Sequence, residues 1–120
     1  MVQLFGVLGA LSALTAVALG AFAAHGLKGH LTPDMSAVFE TGVRYQMYHA
    51  LALLLTAVAA GRLDGRAVVA AGWLFVAGIV LFSGSLYLLA VTGVTTFGAI
   101  TPIGGVAFLA AWICLAVAAL

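Results

Sequence analysis

The sequence predicts an all-α integral membrane protein, a four-helix bundle with a short amphipathic interfacial helix between spans one and two. Its 120 residues are 66% hydrophobic and only 6% charged, and the mean hydropathy is +1.31. A soluble domain is about one quarter charged. A chain this apolar cannot cover a surface that faces water, so the lipid bilayer must be its solvent.

Four apolar runs predict the spans. Within a single transmembrane domain of residues 1–120, they cover about residues 2–24, 43–61, 67–90 and 102–120. The first run is interpreted as an uncleaved helix, because no Lys or Arg precedes it and it is long for the apolar part of a signal peptide. In this run Ala16, Gly20 and Ala24 recur every fourth residue. Such rows of small residues let helices approach closely, which favours a homo-oligomer or a partner membrane protein.

The amphipathic helix is predicted between the first two spans. Thr32–Pro33 has the composition of a helix start, with a capping hydroxyl followed by Pro at the first position. The interfacial segment then covers about residues 33–42. Two continuations are open: the helix runs on into the second span, as the spacing of Glu40 and Arg44 favours, or it kinks at Gly42.

The polar side chains are predicted to gather at one membrane face, because consecutive spans alternate in direction. Residues 83–87 lie about 25–30 Å of helical rise beyond residue 66, at the level where the first span ends and the second begins. The opposite leaflet is nearly free of polar side chains. The predicted cluster consists of His25, Glu40, Arg44, Tyr45, Tyr48, His49, Ser83, Ser85 and Tyr87, with Thr101 at the same level.

Two parts of this cluster carry alternative interpretations. Glu40 and Arg44 form either a structural ion pair that fixes the helix entry or a phosphate-headgroup site built on the guanidinium. Tyr45 and Tyr48 are typical of the aromatic belt at a membrane surface. Orientation follows from the turn at residues 62–66, whose two arginines favour the cytoplasmic side for that turn and for both termini. The protein is thus expected in the plasma or inner membrane.

The histidines allow a haem or copper hypothesis that uses His25 and His49 as ligands. No two histidines have the i, i+4 spacing of a helical metal site, and Cys114 is the only cysteine. Ser83 and Ser85 lack the strand–turn–helix context of a serine nucleophile. The sequence therefore predicts no catalytic residue and no cofactor. It also lacks the basic cluster that nucleic-acid binding requires.

Four ordered stretches resemble a known family. They are residues 20–27 (GAFAAHGL), 39–50 (FETGVRYQMYHA), 83–87 (SGSLY) and 98–105 (GAITPIGG). They are similar to signature stretches of the YgdD/YwdK-type small membrane proteins, a domain of unknown function. The resemblance implies an integral membrane protein with four spans, and it implies no activity, ligand or catalytic residue.

The leading functional prediction is a non-enzymatic membrane protein whose one-sided polar cluster binds a small ligand, a lipid headgroup or a partner subunit. A concentrated polar site without a catalytic constellation motivates it. The alternatives are an accessory subunit of a larger membrane complex, an oligomeric transporter or channel, and the haem or copper site. Membrane lipids are expected partners in every case.

Overall fold

The computed structural model describes residues 1–63 and 65–120, and all regular structure within them is helical. Asp64, in the predicted turn at residues 62–66, lies outside the described residues. A π-helical turn, Ile79–Ser83, joins α3 to α4, and a 3₁₀ turn, Thr95–Ala99, precedes α5. The helices are α1 (Val2–His25), α2 (Pro33–Ala60), α3 (Arg66–Gly78), α4 (Gly84–Thr92) and α5 (Thr101–Ala119).

Three helical segments of the described chain are long and apolar enough to cross a membrane. They are Val2–His25, Arg66–Thr92 and Thr95–Ala119. Helix α2 is not among them, because polar and charged side chains occupy much of its first half. The all-α class of the prediction is confirmed, whereas the crossing of the membrane by α2 stays a prediction.

Residues 33–42, predicted as an interfacial segment, form the start of one continuous helix, so the first of the two open alternatives is correct and no separate helix precedes α2. The position of this segment at the membrane surface stays a prediction. The Thr32 side chain caps this helix by accepting a hydrogen bond from the Met35 N–H at 3.2 Å. Gly42 is buried inside α2 and introduces no break. Its missing side chain gives room to Tyr87 of α4, whose ring would lie 2.8 Å from a Cβ at this position. This glycine therefore permits close packing and not a kink.

Helix α1 runs antiparallel along α2, in close backbone packing. A Cβ at Gly9 would lie 3.0 Å from the Ala50 carbonyl oxygen, and one at Gly20 would lie 3.3 Å from Val43. Ala16, between them on α1, is fully buried. The small-residue face that predicted association with a partner thus packs against this chain's own α2. Association stays a prediction, without that face as its support.

A close approach of two backbones holds α5 against the π-helical turn. A Cβ at Gly104 would lie 2.3 Å from the Phe82 backbone nitrogen, so only glycine fits here. The core consists of aromatic rings and small aliphatic side chains, and α1 contributes Phe5 to it. Its members are Phe5, Ala52, Leu53, Ala57, Ala71, Phe75, Phe108 and Ala111.

Candidate functional site

Gln46 of α2 is the centre of a hydrogen-bond network between three helices. Its Nε2 donates to the Ser12 carbonyl oxygen at 2.9 Å and to Thr15 Oγ1 at 2.7 Å, both in α1. Its Oε1 accepts from the Tyr87 hydroxyl of α4 at 2.6 Å. With 6% of its surface exposed, Gln46 is buried, and every polar atom of its amide has a partner.

The predicted cluster did not include Gln46, although it lies within the quoted stretch 39–50. The signal that could have identified it was available. Ser12 and Thr15 interrupt the first apolar run in its middle, and an amide in the second span could meet them. Each polar group inside a span needs a partner in lipid, so polar residues on neighbouring spans predict one another.

The π-helical turn supplies a second set of polar contacts. Ser83 Oγ donates to the Gly42 carbonyl oxygen at 2.7 Å, which links this turn to α2. Ser85 Oγ and Thr101 Oγ1 lie 2.6 Å apart in a hydrogen bond that links α4 to α5. π-helical turns are often found at functional sites, and here Ser83 of the turn contacts α2, while Ser85, two residues later in α4, contacts α5.

His49 is buried between α2 and α5, and both of its ring nitrogens have partners. Nδ1 lies 2.7 Å from the Tyr45 carbonyl oxygen, which can only accept. Trp112 Nε1–H donates to Nε2 at 3.2 Å. These partners assign the neutral tautomer with the proton on Nδ1. The imidazole also stacks on the Phe108 ring, with centroids 3.5 Å apart and an interplanar angle of 7°.

The structure separates the predicted cluster into an inner and an outer set. The inner set comprises His49, Ser83 and Ser85, which are buried, and Tyr87, which is half-buried. The outer set, exposed on the surface of the helices, comprises His25, Glu40, Arg44, Tyr45 and Tyr48. Among the described residues, no buried side-chain nitrogen or oxygen lacks a hydrogen-bond partner. The inner set therefore stabilises helix packing and directs no free polar group at a ligand.

The histidines are not arranged as a pair of ligands. His25 is exposed at the end of α1, whereas the His49 nitrogens face Tyr45 and Trp112. In the part of the chain that the structure describes, no group of three or more His, Cys, Asp or Glu could hold a metal ion. The geometry gives the haem or copper hypothesis no support.

A groove of about 480 Å³ lies beside this network between α2 and α5, and we call it the α2–α5 groove. Val106 and Leu109 line it and are also exposed, so it opens sideways onto the outer surface of the helices. Along α5 it runs from Pro102 to Trp112, about 15 Å at helical rise. No charged side chain lines it. The lining residues are Tyr45, His49, Phe82, Pro102, Gly105, Val106, Phe108, Leu109 and Trp112.

A second groove of similar size, about 490 Å³, lies on α4, and we call it the α4 groove. Its wall includes Ser85 and Tyr87, whose hydroxyls are engaged in the contacts above. It also lacks charged side chains. Its lining residues are Val80, Leu81, Gly84, Ser85, Tyr87, Leu88, Phe97 and Ile100.

Comparison with known proteins identifies the family of this chain. Residues 19–105 match the family described as "Protein of unknown function (DUF423)". The chain belongs to the DUF423 family. It is 56% identical over 118 residues to the UPF0382 membrane protein YwdK of Bacillus subtilis, which covers 98% of this chain and 96% of YwdK. It is 51% identical over 116 residues to the UPF0382 membrane protein SAB0533 of Staphylococcus aureus, covering 97% and 94% of the two chains.

These DUF423 comparisons confirm the resemblance predicted from the four stretches. The relatives are named as membrane proteins, which agrees with the apolar helices of this chain. No solved structure matches the chain. The family match includes Gln46, His49 and Ser83, but Ser12 and Trp112 lie outside it. The family description states no activity, so function must be argued from the geometry.

Proposed function

We propose that this DUF423 protein is a four-span integral membrane protein that binds a membrane lipid in the α2–α5 groove without transforming it. The groove carries the proposal: it is apolar, it opens toward the bilayer, and its volume lies within the usual range for ligand sites. Its length of about 15 Å is about half of a hydrocarbon core of ~30 Å, the depth of one leaflet. An acyl chain that enters from one leaflet would match the groove in polarity, direction of access and length.

The packing of α1 on α2 supports the four-span topology. Gly9 and Gly20 of α1 contact Ala50 and Val43 of α2, so α2 follows α1 along its length. When α1 crosses the bilayer, α2 must cross beside it. The arginines of the turn at residues 62–66 favour the cytoplasmic side for this turn and for both termini, in the plasma or inner membrane of a bacterium.

The hydrogen bonds of the serines and of His49 support a non-enzymatic role. Ser83 donates to a backbone carbonyl, and Ser85 pairs with Thr101. The nitrogens of His49 bind Tyr45 and Trp112. An activated nucleophile needs a base within hydrogen-bond reach, and neither serine has that arrangement. We therefore move the proposed binding from the predicted polar cluster to the groove beside it.

The test fills the groove from its own wall. A Cβ at Gly105 would have only Phe82 Cδ2 nearby, at 3.9 Å, so Gly105→Leu places its side chain in free space. In the α4 groove, a Cβ at Gly84 meets nothing within 4 Å, so Gly84→Leu is the matched control. We expect native mass spectrometry in mild detergent to show retained lipid on the wild type and on Gly84→Leu, and several-fold less on Gly105→Leu. Equal lipid retention by all three proteins would refute the proposal.

A further inference from the structure

The depth of Arg44 on α2 is the first observation. At about 1.5 Å per residue, a hydrocarbon core of ~30 Å takes about 20 helical residues. A core that begins at Ala60 therefore ends about one turn before Arg44, so Arg44 lies about one turn inside it. The long arginine side chain extends from that depth to the headgroups. Tyr45 and Tyr48 beside it are 39% and 56% exposed, as expected of residues at the interface.

The second observation is that the ion pair with Glu40 leaves Arg44 largely free. Arg44 Nη2 and Glu40 Oε2 lie 3.9 Å apart, and the side chains are 64% and 63% exposed. This distance is too long for a hydrogen bond, and an exposed ion pair is weak. The guanidinium can therefore direct its N–H donors at a phosphate, for which its fork geometry is suited.

The third observation is the charge around the α2–α5 groove. The lining residues carry no charge, so the groove itself can hold an acyl chain but cannot select a headgroup. Arg44 is the only Lys or Arg of α2, and it directly precedes Tyr45 of the groove wall. Lys28 lies in the connection between α1 and α2, and Arg62 and Arg66 lie beyond the opposite end of α2.

Together these observations point to the class of lipid. We infer that the α2–α5 groove holds an anionic phospholipid whose phosphate is bound by Arg44, an inference that rests on the proposed lipid site. Glu40 competes with the phosphate for the same guanidinium and so lowers the selectivity. One cation near a membrane surface predicts about a fivefold preference for an anionic over a zwitterionic lipid.

The experiment offers the purified full-length protein an equimolar mixture of phosphatidylglycerol and phosphatidylcholine with matched acyl chains. Native mass spectrometry reports the ratio of the two bound lipids and the total occupancy. We expect about fivefold phosphatidylglycerol preference for the wild type, a ratio near one for Arg44→Gln and a higher ratio for Glu40→Gln. Lys28→Gln, which removes a cation that is neither on α2 nor in the groove lining, should match the wild type.

The opposite changes expected for Arg44→Gln and Glu40→Gln distinguish headgroup selection from general loss of structure. An Arg44→Gln protein that keeps the phosphatidylglycerol preference would overturn the inference, as would a lower ratio for Glu40→Gln. Failure of the proposed function would be seen in a different measurement, the total lipid occupancy. If the groove binds no lipid, Gly105→Leu and the wild type would retain the same total amount of lipid.

Discussion

Gln46 shows why single polar residues have large effects in this molecule. Its amide contacts α1 through Ser12 and Thr15 and α4 through Tyr87. In lipid no water replaces a lost partner, so removal of the amide leaves the Tyr87 hydroxyl with an unmet hydrogen bond. His49 is held in the same way by Tyr45 and Trp112. These contacts fix the rotation of α2 relative to its neighbours.

Gln46→Leu is expected to lower the stability of the detergent-solubilised protein by about 1–2 kcal/mol, because it removes three interhelical hydrogen bonds worth roughly 0.6 kcal/mol each. Gln3→Leu is the matched control, because Gln3 is exposed at the start of α1. Unfolding curves in increasing denaturing detergent compare the two variants. Indistinguishable midpoints would show that the network contributes no stability.

The same residues show what the sequence could and could not predict about the site. His49, Ser83 and Ser85 are buried, as expected of polar groups that lipid drives toward protein partners, whereas a ligand-binding cluster of these residues stays a prediction. The exposed positions of His25, Glu40 and Arg44 were not predictable from depth alone. Depth follows from counting residues along a span, whereas the direction of a side chain depends on helix rotation, which only the packing determines.

At the scale of elements, the helices follow from the apolar runs, but two features do not. The π-helical turn Ile79–Ser83 has no residue pattern of its own, because it differs from an α-helix only in its hydrogen-bond partners. The continuity of α2 was one of two open alternatives at Gly42, and packing against Tyr87 decides it. A glycine in the sequence is compatible both with a kink and with a close contact, so it does not distinguish the two alternatives.

Gly104→Ala tests the contact between α5 and the π-helical turn. Its methyl group would lie 2.3 Å from the Phe82 backbone nitrogen and 2.7 Å from Phe82 Cα. Backbone atoms cannot move aside as a flexible side chain can, so α5 must shift, at a cost of roughly 1–3 kcal/mol. We expect a lower melting temperature for Gly104→Ala.

Gly105→Ala provides the control for this substitution. The added methyl group would lie 3.9 Å from Phe82 Cδ2, which is an ordinary contact. Both variants replace one helical glycine by alanine, so helix propensity changes equally. The difference between their melting temperatures therefore reports the contact alone, and equal values would contradict the close approach of α5 to Phe82.

The whole molecule is thin, and its shape explains where binding is proposed. Its principal extents are 48 × 26 × 17 Å, so little interior is available for a central cavity. The most extensive packing is between α1 and α2, followed by α3 and α5, and α2 joins the two pairs through α3 and α4. A groove remains between α2 and α5, which meet there through His49, Phe108 and Trp112. A lipid is the partner that such a lateral opening meets first.

The topology of the molecule depends on whether α2 crosses the membrane, and accessibility of engineered cysteines decides this. With Cys114 replaced by Ala, His30→Cys lies before α2 and Leu63→Cys lies after it. A crossing α2 places them on opposite sides, and cytoplasmic arginines at residues 62–66 predict which side each faces. In intact cells we expect a membrane-impermeant maleimide to label His30→Cys and to leave Leu63→Cys unlabelled until the membrane is permeabilised. Leu120→Cys should behave like Leu63→Cys, whereas labelling of His30→Cys and Leu63→Cys from the same side would show that α2 does not cross.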